Sequence, residues 1–147
     1  MGQGVDAVTA RVKGEAWKRI ARPVTLGYMG FLAYMSLGRA YPPMLDRALA
    51  TWGSTVFHFG GYALLAILFA WTLSRRGRHR PWLAIAAAVG YGGLLETLQF
   101  LVPGRMPSGL DLGINLAGAV AGGVSLWGVA CTMARRRRPG QEAVGSH

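Results

Sequence analysis

The chain alternates four long apolar runs with short polar or basic connections. The runs cover residues 24–38, 54–73, 82–102 and 110–134. A helix needs about 20 apolar residues to cross a hydrocarbon core about 30 Å thick. The last three runs reach that length, and the first can be extended if its flanking residues snorkel to the interface. The pattern predicts an all-α protein, a four-helix transmembrane bundle with helices at 23–38, 54–73, 82–102 and 110–134.

The connections between the runs differ in their chemistry. Residues 39–53 contain a proline pair, and residues 44–52 are compatible with a short interfacial helix. Residues 75–80 are almost all basic, and residues 103–109 form a turn rich in proline and glycine. The domain organisation that follows is a cytoplasmic N-terminal flank at 1–22, a transmembrane domain at 23–134 and a basic disordered tail at 135–147.

Lysine and arginine are distributed unevenly between the two ends of such a bundle. Thirteen of the 16 lie in the N-terminal flank, the connection at 75–80 and the C-terminal tail, all on one side of a four-span chain. Arg39, Arg47 and Arg105 fall on the other side. Cytoplasmic flanks carry the excess of basic residues in membrane proteins. The distribution therefore predicts that both termini are cytoplasmic and that the turn at 103–109 faces outward.

Composition narrows the class of protein further. Hydrophobic residues make up 52% of the 147, and the 22 glycines are typical of packed transmembrane helices. A net charge of +10 would also suit a nucleic-acid-binding protein. The basic residues flank the apolar runs instead of covering one face of a domain, so we predict no nucleic-acid partner. We expect no cleavable signal peptide, and the single Cys131 excludes an intramolecular disulfide.

Six polar side chains interrupt the apolar pattern near its predicted outer end. An ionisable group within a span costs roughly 2.5–3.5 kcal/mol on insertion scales, so function is the first hypothesis for such a group. The four-span topology brings all six residues to the outer leaflet. We predict that they form one ligand-binding cluster, consisting of His58, Glu96, Gln99, Arg105, Asp111 and Asn115.

On the third and fourth helices, polar and small residues recur every three or four positions, which places them on one helix face. Small residues at this spacing let a neighbouring backbone approach closely. The polar stripes therefore continue into packing stripes that point into the bundle. The predicted packing residues are Gly61, Gly92, Gly118 and Gly122.

Each polar residue also has a purely structural explanation. Glu96 could form an ion pair with Arg105, and His58 could hydrogen-bond across helices. Asp111 could complete a capping box with Ser108 at the start of the fourth helix. The two amide side chains are of a type that commonly links transmembrane helices. The cluster as a group is more informative than any of its members.

The chemistry of the cluster allows both binding and catalysis. Arg105 could clamp the anionic group of a phosphate or a zwitterion. Glu96 and His58 are the candidates for a general acid–base pair, although the sequence offers no convincing nucleophile. No diagnostic metal-ligand spacing is present, and we predict no metal and no other cofactor.

The order and spacing of these residues resemble the VanZ-like family of small integral membrane proteins. The similarity covers roughly residues 54 to 122. The family often carries Asp-Lys where this chain has Ser54 and Thr55. The matching elements are His58-Phe59, the run from Tyr62 to Leu65, Glu96-x-x-Gln99, Pro103 to Arg105, Ser108-x-x-Asp111 and Asn115-x-x-Gly118.

The resemblance implies a multi-pass protein of the bacterial cytoplasmic membrane that contributes to resistance against glycopeptide antibiotics, teicoplanin more than vancomycin. Our first hypothesis is that the outer cluster recognises an envelope lipid, a lipid-linked wall precursor or the antibiotic. A second hypothesis is an enzyme that uses Glu96 and His58 on a lipid-linked substrate. A third is a structural membrane protein with a protein partner, or a small transporter. A homodimer remains an open alternative.

Overall fold

The structure, a computed structural model, describes residues 2–38, 40–74 and 80–136, with side chains from residue 19 to residue 133 within those ranges. The regular secondary structure of these residues is helical, as predicted. Parts of the predicted basic connection (75–79) and of the predicted tail (137–147) lie outside the described residues. The helices are α1 (Gly2–Leu37), α2 (Pro43–Thr72), α3 (Pro81–Gln99) and α4 (Gly109–Arg136).

Helix α1 begins much earlier than the predicted start at residue 23. It starts at Gly2, and Pro23 lies inside it. Residues 2–22 are rich in alanine, arginine and lysine, which are strong helix formers. Pro23 removes one backbone hydrogen bond of the helix but does not end it here. The composition of the chain changes after residue 22, but the helix continues through this point.

Helix α2 consists of two helical segments that meet at Gly53. Gly53 has φ 74° and ψ 155°, a conformation that a residue without a Cβ adopts readily. The first segment, residues 43–52, confirms a short helix where the sequence allowed one at 44–52, and its Trp52 is exposed. Its position at a membrane interface stays a prediction. The second segment, residues 54–72, corresponds to the predicted apolar helix at 54–73.

The turn between α3 and α4 comprises residues 100–108. Helix α3 ends at Gln99, earlier than the predicted residue 102, and the amides of residues 100–102 bond to carbonyls three residues back. The residue before a proline avoids the helical conformation, so Pro103 explains this early end. Gly104 turns the chain with φ 84°. Ser108 then precedes the first residue of α4.

The bundle is held together by the close approach of α2 and α4. A Cβ built at Gly118 would overlap the carbonyl of Phe59, and one at Gly122 would overlap the carbonyl of Ala63. Apart from Leu65 and Asn115, the side chains with no exposed surface are small, and include Ala66, Ala84, Ala88 and Ala119. Close backbone contact between small residues is how transmembrane helices gain packing energy.

Three of the described helices are long and apolar enough to cross a membrane, namely Pro43–Thr72, Pro81–Gln99 and Gly109–Met133. Only 22–33% of their most apolar windows is buried inside the protein, so most of this apolar surface faces outward. Apolar patches of that extent mark membrane or partner contacts. The chain thus has the features of a membrane protein. The predicted span at 23–38 lies in α1, which is not among the three.

Candidate functional site

A cavity of about 550 Å³ lies between α1 and the second segment of α2. Its walls are mainly apolar and include Phe31, Leu32, Met35, Phe57 and Leu64. Polar groups gather where the α1–α2 connection and the α3–α4 turn meet the cavity. They belong to Ser36, Tyr41, Ser54, His58 and Arg105. The cavity is therefore amphipathic, with a long apolar part and a polar end.

Arg105 ties the α3–α4 turn to the α1–α2 connection at this polar end. Its Nη2 donates to the carbonyl of Gly38 at 2.7 Å and to the hydroxyl of Tyr41. Tyr41 in turn donates to the carbonyl of Met35 at 2.5 Å. In the part of the chain that the structure describes, both hydrogen-bond acceptors of Arg105 are neutral oxygens. Its positive charge is therefore held in place without a bonded carboxylate.

His58 lines the cavity from α2 and is held from behind by α4. Its Nδ1 lies 2.9 Å from Oδ1 of Asn115, a side chain with no exposed surface. The ring also lies parallel to that of Tyr62, with 6.5 Å between the centroids. Gly92 of α3 provides room for this arrangement, because a Cβ there would approach both the Tyr62 ring and Nδ2 of Asn115. Asn115 Nδ2 has no hydrogen-bond partner among the described residues.

Glu96 is buried and caps the neighbouring helix. Its Oε2 accepts a hydrogen bond from the backbone amide of Ser108 at 3.1 Å, and Ser108 Oγ accepts one from the amide of Asp111 at 3.3 Å. In a capping box, the acidic residue of the same helix would bond the Ser108 amide. Here Glu96 of α3 takes that position, so only half of the predicted Ser108–Asp111 box is formed. The Asp111 carboxylate is half-buried.

Gln99 links the polar end of α3 to α1. Its Nε2 donates to Oγ of Ser36 at 2.8 Å and to the carbonyl of Ser36 at 3.2 Å. Ser36 itself lines the cavity. Gln99 thus fixes the orientation of a lining group from behind the wall.

The structure assigns five of the six predicted residues to two groups. His58 and Arg105 line the cavity, whereas Glu96, Gln99 and Asn115 are buried behind it. Asp111, which is half-buried, belongs to neither group. The alternative in which Glu96 and Arg105 form an ion pair is wrong for these two described residues, since each has other partners.

Sequence reasoning missed two lining residues that the hydrogen bonds identify. Ser36 and Tyr41 precede the proline pair and belong to no polar stripe within an apolar run. The available signal was the position of Tyr41 directly before the proline pair, in the connection that follows α1. Their part in the cavity depends on Gln99 and Arg105, which reach them from more than 60 residues away in the chain.

The geometry bears on the chemistry that the site can perform. Glu96 and His58 are bound to Ser108 and Asn115 respectively, and no hydrogen bond joins the two candidate acid–base residues. Among the described residues, no group of three His, Cys, Asp or Glu side chains could hold a metal ion. The arrangement is suited to holding a ligand with an apolar part and an anionic part.

Comparison of the chain with protein-family models, with curated proteins and with solved structures finds no match.

Proposed function

We propose that this protein binds an anionic amphiphile of the bacterial cytoplasmic membrane, with an apolar chain between α1 and α2 and the headgroup at Arg105. The observation that carries the proposal is the cavity itself, which is apolar over most of its length and has a cation at its polar end. The guanidinium has neutral partners, so an anion at this position would add a charge-assisted hydrogen bond without displacing a carboxylate.

The size and the lining of the cavity favour a membrane amphiphile over a polar solute. Its volume of about 550 Å³ lies within the range of roughly 300–1,000 Å³ that is typical of small-molecule sites. Apolar residues such as Phe31, Val56 and Leu64 are partly exposed on the same two helices. A polar solute would leave this apolar lining without favourable contacts, whereas an acyl or isoprenoid chain would cover it.

The proposal includes a four-span topology with both termini in the cytoplasm. In this scheme α1 spans the membrane in addition to the three apolar helices, and its packing supports that role. Tyr28 donates to the carbonyl of Gly61 at 3.1 Å, Leu32 belongs to the buried core, and the carbonyl of Met29 accepts the hydroxyl of Tyr91 at 2.7 Å. The clusters of lysine and arginine supply the orientation. The cavity's polar end then faces the outer leaflet.

The resemblance to VanZ-like proteins supports a role for this binding at the cell envelope. An amphiphile held at the outer leaflet would alter what a glycopeptide antibiotic meets there, and teicoplanin is the compound to test beside vancomycin. We expect protection by the wild-type protein in a sensitive Gram-positive host. We expect that protection to disappear with Arg105→Gln at matched membrane levels.

Binding to Arg105 can be tested directly with purified protein in detergent. We expect dioleoyl phosphatidylglycerol to bind more tightly than dioleoyl phosphatidylcholine, measured by native mass spectrometry over a lipid titration. Arg105→Gln should weaken binding of phosphatidylglycerol roughly ten- to hundredfold, the equivalent of one hydrogen bond to a charged group.

Two further variants distinguish the loss of the Arg105 charge from a general effect of substitution on the fold. Arg47→Gln removes an exposed arginine from the first segment of α2 and should leave lipid binding unchanged. Tyr41→Phe removes one neutral partner of Arg105 while keeping its charge, and should weaken binding less than Arg105→Gln. Equal binding of the two lipids to the wild-type protein would rule out the proposal.

A further inference from the structure

We infer that His58 supplies a second positive charge to the cavity, and that the preferred headgroup is therefore a phosphate monoester. The inference rests on the proposed function, since it concerns the headgroup of the same amphiphile. Three observations carry it: the hydrogen bond between His58 and Asn115, the burial of Asn115, and the position of His58 in the cavity lining.

The hydrogen bond to Asn115 determines which nitrogen of His58 can take up a proton. The amide oxygen Oδ1 can only accept, so Nδ1 of His58, at 2.9 Å, must carry a hydrogen. Nδ1 therefore stays protonated in both the neutral and the charged ring. Nε2 is the atom that gains a proton when the ring becomes cationic, and it is the nitrogen left for the cavity that His58 lines.

The geometry around Asn115 indicates that its amide is committed to His58. The side chain is completely buried, and its Nδ2 has no hydrogen-bond partner among the described residues. Among the described residues, the side-chain hydrogen bond of Asn115 is therefore the one to His58.

The titratable and charged groups that share the cavity lining with His58 are Tyr28 on α1, Tyr41 in the α1–α2 connection, Tyr62 on α2 and Arg105 in the turn. The carboxylate of Glu96, on α3, is bonded to the Ser108 amide, and Arg105 is bonded to neutral oxygens. Neither group is hydrogen-bonded to the imidazole, which leaves Nε2 for a headgroup in the cavity.

The charge of the site then selects among phosphate headgroups. A phosphate monoester carries about 1.5 to 2 negative charges at neutral pH, whereas a diester carries one. Arg105 alone complements a diester. Arg105 together with protonated His58 complements a monoester, and Nε2–H would donate to one of its oxygens. We therefore assign a long-chain phosphate monoester as the ligand class.

The inference is tested with two lipids that differ only in the headgroup. Dioleoyl phosphatidic acid is the monoester probe and dioleoyl phosphatidylglycerol the diester probe. We expect wild-type protein to bind phosphatidic acid at least tenfold more tightly. His58→Gln should remove this preference, so that phosphatidic acid binds no more than about twofold more tightly than phosphatidylglycerol. Thr97→Ala is the control, since exposed Thr97 bonds only to the Gly93 carbonyl of its own helix through its hydroxyl.

A spectroscopic measurement on wild-type protein covers the case in which His58→Gln does not fold. Histidine labelled with ¹⁵N should show a proton on Nδ1 of His58, and with phosphatidic acid bound Nε2 should carry a proton as well. A proton on Nε2 in place of Nδ1, or an Nε2 without a proton when phosphatidic acid is bound, would overturn the inference.

The outcomes also distinguish this inference from the proposed function. Equal affinity for the two anionic lipids, both above phosphatidylcholine, would sustain the anion site and reject the role of His58. No preference for anionic lipids would reject both. Inorganic phosphate at the lipid concentration should not displace phosphatidic acid, and displacement would reject the assignment of a lipid.

Discussion

Glu96 illustrates how one buried carboxylate can organise a membrane helix. Its hydrogen bond to the Ser108 amide satisfies one of the backbone donors that are left free at the start of α4. A negative charge next to a helix N-terminus is also favoured by the helix dipole. Glu96, the residue with the highest free-energy cost of insertion into a membrane span, therefore joins two helices and holds the turn that carries Arg105.

We expect the hydrogen bond from the Ser108 amide to Glu96 to make two substitutions of Glu96 differ in their free energy of unfolding. Glu96→Leu removes the acceptor and leaves the Ser108 amide unpaired, which should lower the free energy of unfolding by about 1–3 kcal/mol. Glu96→Gln keeps an acceptor oxygen and should cost less. The measurement is unfolding in mixed micelles with increasing denaturing detergent. Equal stability of the two variants would show that the hydrogen bond does not contribute.

At the scale of the elements, the contact between α2 and α4 determines where His58 and Asn115 meet. Gly118 and Gly122 allow the α4 backbone to touch that of α2 at Phe59 and Ala63. Asn115 lies one turn before Gly118 on the same face of α4. The small residues thus bring the buried amide to the imidazole, and a wider helix separation would break that hydrogen bond.

Two alanine substitutions on α4 test this contact. Gly118→Ala places a methyl group against the Phe59 carbonyl, and we expect a loss of about 1–3 kcal/mol in unfolding free energy. Gly113→Ala is the matched control, because a Cβ at Gly113 meets no atom within 4 Å. It should be neutral or stabilising by about 0.5–1 kcal/mol, since alanine is the better helix former. A similar effect of both substitutions would contradict the proposed close approach.

At the scale of the whole molecule, the proposed topology relates the distribution of basic residues to the position of the cavity. The basic clusters and the polar end of the cavity fall at opposite ends of the four-helix scheme. The turn that contains Arg105 also contributes Met106, whose side chain is 89% exposed. The proposed orientation therefore places an accessible position beside the site on the outer surface.

Cysteine labelling on intact cells tests this orientation. In a background with Cys131→Ser, we expect Met106→Cys to react with a membrane-impermeant maleimide. Arg80→Cys, at the exposed start of α3, should be protected until the cells are lysed. The lysed sample is the control for accessibility. The opposite pattern would invert the topology, and labelling of both positions in intact cells would contradict the predicted number of spans.

Much of the fold was predictable because helix formation and membrane insertion depend on local composition. The helices predicted from the runs at 54–73, 82–102 and 110–134 begin and end within a few residues of the second segment of α2, of α3 and of α4. The start of α1 was not predictable from apolarity, since residues 2–22 form a helix from polar and charged residues. The early end of α3 follows from Pro103, whose effect on the preceding residue is also local.

The sequence by itself determined which residues are polar within apolar surroundings and that the chain makes helices. Both depend on side-chain chemistry and on contacts within one or two turns. Only the tertiary structure decided that His58 and Arg105 line a cavity while Glu96, Gln99 and Asn115 support it from behind. Those roles depend on the rotation of each helix about its axis and on partners such as Ser36 and Ser108. A pattern along one helix specifies a face, but only packing determines what that face meets.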